Sequence, residues 1–389
     1  MTVLGDLINV VSGFAFKSSL FTEEGDLPLI RIRDVKRGFS ETYYAGEYSD
    51  EYLIDNGDLL VGMDGEFNAK RWSGGRALLN QRVCKIVATS SELDEQYLYY
   101  FLPKQLKLIE DATPSVTVKH LSVKTIKNIE IPLPPLEEQK RIAAILDKAD
   151  AIRRKRQQAI DLTDQLLRSV FLDMFGDPKV DWETVSFIEV AKPEKNTFVN
   201  GPFGSNLLTS ELKDEGVPVL YIQDIRSGRY NRRSNKHVTE LKAKELSSCN
   251  VFPGDVLIAK VGDPPGAAAV YPKDEPNAII TQDVVRIRPD LKRVTPEFVA
   301  GFLNSSIGER WLAPIIVEAT RSRFGLGGIK KKTFVMPPTS LQHKYSEIHK
   351  QIESERRRML LGLKNSQNLF NSMAKNVFKG QLNKPTKTA

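Results

Sequence analysis

Two cysteines in 389 residues are too few for a disulfide framework, and neither Cys84 nor Cys249 has a partner at metal-ligand spacing. Both are expected as buried, reduced thiols. No apolar run is long enough to cross a bilayer, and the first residues lack the basic, apolar, small-residue order of a signal peptide. The expectation is a cytoplasmic protein without membrane contact. No Gly-x-x-x-x-Gly-Lys-Ser/Thr loop is present, which excludes ATP binding by that route. His120, His237, His343 and His349 form no ligand pattern, so no metal site is expected.

What is present is a moderate excess of positive charge, +7 with a pI near 9.1, which suits a polyanionic partner. Basic residues cluster at Lys70-Arg71, Arg226 to Arg233, Arg321 to Arg323 and Lys330-Lys-Lys332. Most of these fall in Gly-, Ser- or Asn-containing segments, the composition of loops carried by a scaffold.

The chain also repeats itself. Ile131-Pro-Leu-Pro-Pro-Leu-Glu-Glu-Gln139 leads into a long helical pattern, and Val335-Met-Pro-Pro-Thr-Ser-Leu-Gln342 leads into another. Upstream, Gly25 to Asp34 matches Gly216 to Asp224, each an apolar strand pattern arriving at an aspartate. Gly57-Asp58 then answers to Gly254-Asp255, Gln81–Ile86 to Gln282–Ile287, and Tyr97–Leu102 to Phe298–Leu303, with order kept throughout. Duplication accounts for this better than chance.

The prolines at 132, 134 and 135 cannot lie inside a helix, and the pattern then stays helical to about Phe175, where Gly176-Asp-Pro178 stops it. A seven-residue recurrence of Ile145, Ile152, Ala159 and Leu166, with Ile142, Ala149, Thr163 and Val170 as companions, predicts a coiled-coil seam. The second helix repeats it with Tyr345, Ile348, Ile352 and Met359, and its seam is expected to slip at a stutter after Met359. Each helix needs a partner for its apolar stripe. A chain running domain, helix, domain, helix supplies one if the two helices lie antiparallel, and Arg156 is then expected near Glu353 or Glu355.

The fold expected is α+β: two mixed α/β domains separated by two long antiparallel coiled-coil helices, in a pseudo-two-fold internal repeat. The boundaries are 1–135 for the first domain, 136–178 for the first helix, 179–338 for the second domain, 339–382 for the second helix and 383–389 for a tail. Catalytic constellations are wanting. Asp263-Pro-Pro265 continues with Gly266 where an amino-methyltransferase motif needs an aromatic, and Glu211-Leu-Lys213 and Glu240-Leu-Lys242 lack the preceding Pro-Asp of metal-dependent nucleases. No catalytic residue is assigned.

The proline segment, then Arg141-Ile-Ala-Ala-Ile-Leu-Asp-Lys-Ala-Asp150, Phe171-Leu-Asp-Met-Phe-Gly-Asp-Pro178 and the closing Phe378-Lys-Gly-Gln-Leu382 resemble the specificity subunits of type I restriction-modification systems. The resemblance covers essentially the whole chain. It implies two target-recognition domains, each reading half of a split, asymmetric site on double-stranded DNA, with the helices setting the gap. It also implies two modification (methyltransferase) subunits as partners, together with restriction (motor-nuclease) subunits. S-adenosylmethionine, ATP and Mg²⁺ would sit on those partners, and this chain would hold no cofactor and catalyse nothing. The alternatives are a stand-alone DNA-modifying enzyme and a coiled-coil adaptor that binds no DNA.

Arg and Lys suit guanine edges, Asn and Gln suit adenine, and Ser, Thr and Lys commonly hold phosphates. The DNA-binding candidates in the first domain are Asn68, Lys70 and Arg71 in a Gly65–Gly75 loop, then Arg76, Thr113, Ser115 and Lys119. In the second they are Arg226, Arg229, Arg232, Arg233, Lys260, Arg321, Ser322 and Arg323. Helix pairing is assigned to Ile145, Ile152, Leu166, Ile348, Ile352 and Met359.

Overall fold

The structure, a computed structural model, describes residues 1–114, 118–177, 182–226, 228–318 and 320–380. It divides into two units: Met1–Arg156 with Gly362–Ala389, and Gln157–Leu361. Each long helix therefore contributes a stretch to both units, whereas the sequence pattern had set the helices apart from the domains.

In the first unit an antiparallel sheet runs in the order Ile8–Ser12, Val83–Ala88, Leu59–Gly62, Asn68–Arg71. The second unit repeats it strand for strand as Phe198–Asn200, Val284–Ile287, Val256–Ala259, Ala268–Val270. Leu59–Gly62 and Val256–Ala259 are buried at every position, which explains why they read as continuous apolar runs rather than alternating ones. Each is entered through a glycine in the left-handed region, Gly57 at φ +97° and Gly254 at φ +91°, where a side chain would be strained. A second small sheet also recurs, with Leu29–Ile30 parallel to Ala77–Leu79 and Val217–Leu220 parallel to Ala278–Ile280.

The repeat extends to single hydrogen bonds. Asp34 accepts the N–H of Arg31 at 2.9 Å and the hydroxyl of Ser40 at 3.2 Å, while Ser40 also donates to Leu29 O. Asp224 accepts the N–H of Tyr221 at 2.8 Å and the hydroxyl of Ser234 at 2.8 Å, while Ser234 also donates to Val219 O. Both aspartates are buried, and these donors meet the hydrogen-bonding demand of a carboxylate removed from water.

Gln139 and Gln342, both fully buried, fasten the two helix starts in the same way. Gln139 accepts the N–H of Asp94 and donates to Glu92 O and Pro134 O; Gln342 accepts the N–H of Thr295 and donates to Arg293 O and Pro337 O. Asp94 and Thr295 are the N-caps of the aromatic helices Glu95–Ala112 and Pro296–Asn304. Removing either amide leaves three backbone groups without this partner, at a cost of about 1–3 kcal/mol for each that stays shielded from water. Gln139→Ala and Gln342→Ala are each expected to lower the urea midpoint, by an amount at least as large as any single cap removal such as Thr239→Ala.

The long helices span Leu136–Phe175 and Thr339–Gly380. In the first unit Ile142 and Leu146 share a core with Phe370, Met373, Val377 and Phe378. In the second, Phe171 and Phe175 meet Tyr345 at ring-centroid distances of 5.3 and 5.6 Å. Within each unit the paired stretches thus run antiparallel, the start of one helix lying against the end of the other.

The seam itself differs from expectation. Ile145, Ile152 and Leu166 are 38%, 51% and 49% exposed, and the inward partners of the Ile142 series are Leu146, Ile160, Leu167 and Met174, one residue later, with the half-exposed Arg153 at the intervening place in that series. Arg153 at a seam position disguised the phase. The second helix shows no stutter: His349, Arg356, Leu363, Phe370 and Val377 continue one series, and Ile352, Met359, Ser366 and Met373 the other. Ile348, beside this seam, is half-buried. Polar residues at His349, Arg356 and Ser366 made the continuous heptad look broken. Nor does Arg156 meet Glu353 or Glu355. It donates to Gly362 O and Ser366 Oγ, while Glu353 pairs with Arg229 at 2.8 Å and Glu355 with Arg358 at 2.7 Å.

Among the described residues no helix is long and apolar enough to cross a membrane, and no three His, Cys, Asp or Glu side chains gather to hold a metal. Cys84 and Cys249 are buried and unpaired, and burial pushes the Cys84 thiol up to about 12.

Candidate nucleic-acid interface

In the first unit the turn after Leu59–Gly62 is held from two sides. Gly65 donates to Lys119 O at 2.9 Å and Leu121 to Met63 O at 2.7 Å, which lays the polar stretch 118–121 along it. Glu110 accepts the N–H of Phe67 at 2.9 Å, and its bond from Lys107 holds its carboxyl below the usual range. The second unit uses the same clasp, with Gly262 donating to Ser322 O at 3.1 Å and Phe324 to Lys260 O at 3.3 Å.

Of the first-unit candidates, Asn68 and Lys70 lie at this turn and Lys119 beside it. Asn68 bonds Glu66 O at 3.0 Å, Lys70 bonds Lys36 O at 3.0 Å, and Lys119 bonds Glu110 O. The expected Gly65–Gly75 loop is half strand, because Asn68–Arg71 pairs with Leu59–Gly62. Arg71 therefore sits about 10 Å along the strand from Asn68. It turns inward, bonding Gln96 at 3.0 Å and Gly57 O at 2.8 Å with its guanidinium 5.6 Å from the Tyr99 ring. Arg76, paired with Asp55 at 3.3 Å, belongs to the turns at that far end. Thr113 bonds Ile109 O at the close of its helix, and Ser115 lies outside the described residues.

Sequence reasoning missed the basic side chains that flank the turn. Ile32–Arg37 is a short helix, not the continuation of a strand, and it presents Arg33, Lys36 and Arg37 with about half or more of each side chain exposed. Asp34 turns the chain here by accepting the N-terminal N–H of the helix. Arg33, Lys36 and Arg37 line, with Asp64, Glu66 and Asn68, an open cavity of about 420 Å³. Next to it Asp64 joins His120 at 2.6 Å and Arg82 at 3.2 Å. The signal available was the spacing Arg33-x-x-Lys36-Arg37, which puts cations on one helix face, but alternation upstream read as strand.

In the second unit the clasp brings Lys260, Ser322 and Arg323 together, with exposed Arg321 adjoining. Among the described residues, the side chains of Lys260, Arg321 and Arg323 have no protein partner that would compete with an anion. Arg233 is exposed while Asp224 grips its N–H at 2.6 Å, so its backbone is fixed and its side chain is free to reach out. Arg232 folds back on Ser234 O at 3.1 Å and His237 at 3.2 Å. Arg226 lies in the strand Ile225–Arg226, paired with Arg229. Arg229 is turned away from solvent, between Asp164 at 2.7 Å and Glu353 at 2.8 Å.

Two similarly clasped turns thus present different side chains: in the first unit Lys36, Arg33, Arg82 and Lys119; in the second Lys260, Arg321, Arg323 and Arg233. Residues 1–162 match the family model described as the type I restriction modification DNA specificity domain. The EcoBI specificity subunit of Escherichia coli is 30% identical over 406 aligned positions, covering 97% of this chain and 85% of that protein. The MjaVIII specificity subunit of Methanocaldococcus jannaschii is 23% identical, covering 81% of this chain and 76% of its own. Among solved structures, the S subunit of a type I restriction-modification system from M. genitalium superposes with a TM-score of 0.52 at 16% identity, over 97% of this chain and 95% of that one. A chain from a study of complex assembly and conformational transition in a type I system gives 0.54 at 18%, over 98% and 97%.

Proposed function

This chain belongs to the family of type I restriction-modification specificity subunits, and from that premise we propose that each unit reads one half of a bipartite, asymmetric site on double-stranded DNA. The observation that carries the reading is one clasp built twice with unlike side chains around it. A shared clasp places the reader; different cations make the two half-sites differ.

The long helices set the spacer between half-sites and dock two modification subunits. S-adenosylmethionine, Mg²⁺ and ATP belong to those subunits and to the motor-nuclease, and this chain acts in the cytoplasm as the non-catalytic reader. Selection of duplexes from a pool randomised at both halves tests this. Two defined half-sites at constant spacing are expected, with affinity falling steeply with salt as phosphate contacts release counterions. Enrichment of a single continuous site would overturn the reading. Incubation of the purified chain with DNA, Mg²⁺ and S-adenosylmethionine is expected to give neither methylation nor cleavage; turnover would favour the stand-alone enzyme, and salt-independent or absent binding the adaptor.

Arg323→Ala, if it removes a base contact, is expected to cost about 1–3 kcal/mol and to relax one position of one half-site. Lys36→Ala is expected instead to weaken all sequences alike, as loss of a phosphate contact does. Titrations against singly substituted duplexes separate the two.

A further inference from the structure

Arg229 has the residue type and loop setting of a DNA contact, yet its surroundings serve another purpose. Only 16% of its side chain is exposed, and its guanidinium spans two helix stretches, reaching Asp164 on the first at 2.7 Å and Glu353 on the second at 2.8 Å. The approach to Asp164 is an ion-pair contact rather than a directed hydrogen bond, and Arg356 shares that carboxylate at 3.4 Å. Arg229 sits at the turn of a tight hairpin, Ile225–Arg226 against Arg229–Tyr230. The preceding Gly228 is in the left-handed region at φ +72°, where an added Cβ would lie 2.8 Å from Asn304 Nδ2. Tyr230 is wedged on Tyr271 with ring centroids 4.9 Å apart, and the chain then runs directly into Arg232 and Arg233.

Two acids flanking a largely buried arginine repel a phosphate and satisfy the guanidinium without it. We infer that Arg229 is a positioning residue: it ties the hairpin of the second unit to that unit's helices and so fixes where Arg232, Arg233 and the neighbouring reading loops meet DNA. The first unit reaches its own helix stretch by different chemistry, Arg71 to Gln96 at 3.0 Å and Gln96 to Asp147 at 2.6 Å, with Tyr100 on the same carboxylate at 2.7 Å. An Arg229 substitution therefore leaves the first unit as an internal control. This inference rests on the bipartite reading proposed above.

The experiment compares the full-length wild-type chain with Arg229→Ala, Arg229→Lys and the double variant Asp164→Asn with Glu353→Gln. The DNA is a duplex selected by the wild type, with one or the other half-site scrambled. Arg229→Ala is expected to lose tenfold or more of the discrimination against a scrambled second half-site, to keep that against the first, and to leave the salt slope unchanged. Arg229→Lys, which reaches one acid instead of two, is expected to fall between. The acid-neutralised double variant is expected to reproduce the defect, although it leaves every cation in place. A salt slope shallower by about 1 in Arg229→Ala, together with tighter binding by the double variant, identifies a direct phosphate contact and overturns the inference. If the wild type itself discriminates neither half, the bipartite reading fails, and amide hydrogen exchange decides the tether separately. Exchange at Ile225, Arg226, Gly228 and Tyr230 is expected to accelerate in Arg229→Ala; unchanged exchange rejects the tether.

Discussion

Inserting seven residues into each long helix, between Arg156 and Gln157 and between Leu361 and Gly362, is expected to leave both half-sites unchanged and to lengthen the DNA between them by about 3 base pairs. Seven residues add about 10.5 Å at 1.5 Å per residue, against a rise of about 3.4 Å per base pair. A whole heptad returns each helix to nearly the same face, so the Ile142 and Leu146 series keep their inward orientation. Arg156 also keeps Gly362 and Ser366, because both insertions fall just beyond that contact. Affinity for the original spacing is expected to fall toward non-specific binding, about a thousandfold or more. A five-residue insertion turns the following seam by about 140° at 100° per residue and is expected to disrupt folding rather than to move the spacer. Selection from a library of variable spacers measures both outcomes. An unchanged preferred spacer after the heptad insertion would remove the helices from spacer setting.

The second large effect is predicted at Asp255. Arg286 beside it is fully buried, with Nε 3.8 Å from the carboxylate and Nη2 on Ser248 O at 3.1 Å. Burial lowers its pKa to about 10, aided by the nearby Arg288 charge and opposed by Asp255. Asp255 also binds Arg288 at 2.9 Å and takes the N–H of Phe252 at 2.9 Å. Asp255→Ala strands one buried cation and orphans a turn, a loss of about 3–5 kcal/mol. The repeat supplies the control. Lys85 and Asp58 hold the same places in the first unit at 3.3 Å, but with side chains 19% and 27% exposed. Water screens that pair, and Asp58→Ala is expected to cost about 1 kcal/mol. Arg286→Met added to Asp255→Ala is expected to recover part of the loss, since the buried charge is then gone. Chemical denaturation of the three variants checks the order; equal losses at Asp58 and Asp255 would show that burial does not govern it.

Much of the architecture was legible because it is written in local chemistry. Proline clusters stop a helix pattern, Gly57 and Gly254 mark matched turns, and apolar runs mark the central strands. The seam was misplaced by one residue because hydrophobicity alone chose Ile145, Ile152 and Leu166 over a series that contains Arg153. Apolar identity on a helix says that a residue is able to pack, and the partner helix says whether it does.

The candidate site was less legible, for a related reason. Lys260, Arg321, Ser322 and Arg323 were found together because the clasp joins segments whose composition already marked them as loops. Arg71 and Arg229 have the same composition and face inward, where Gln96 and Asp147, or Asp164 and Glu353, lie far away in sequence. Arg33, Lys36 and Arg37 escaped notice because the pattern arriving at Asp34 read as a strand, and Arg82 because it falls in the Gln81–Ile86 repeat segment rather than in a loop. By itself, then, the amino-acid order determined the duplication, the two long helices and the family to which the chain belongs, since all three rest on short-range pattern. Only the tertiary structure decided which arginines face solvent and which brace the fold, because a guanidinium pairs with whatever acid the packed chain brings within about 4 Å of it.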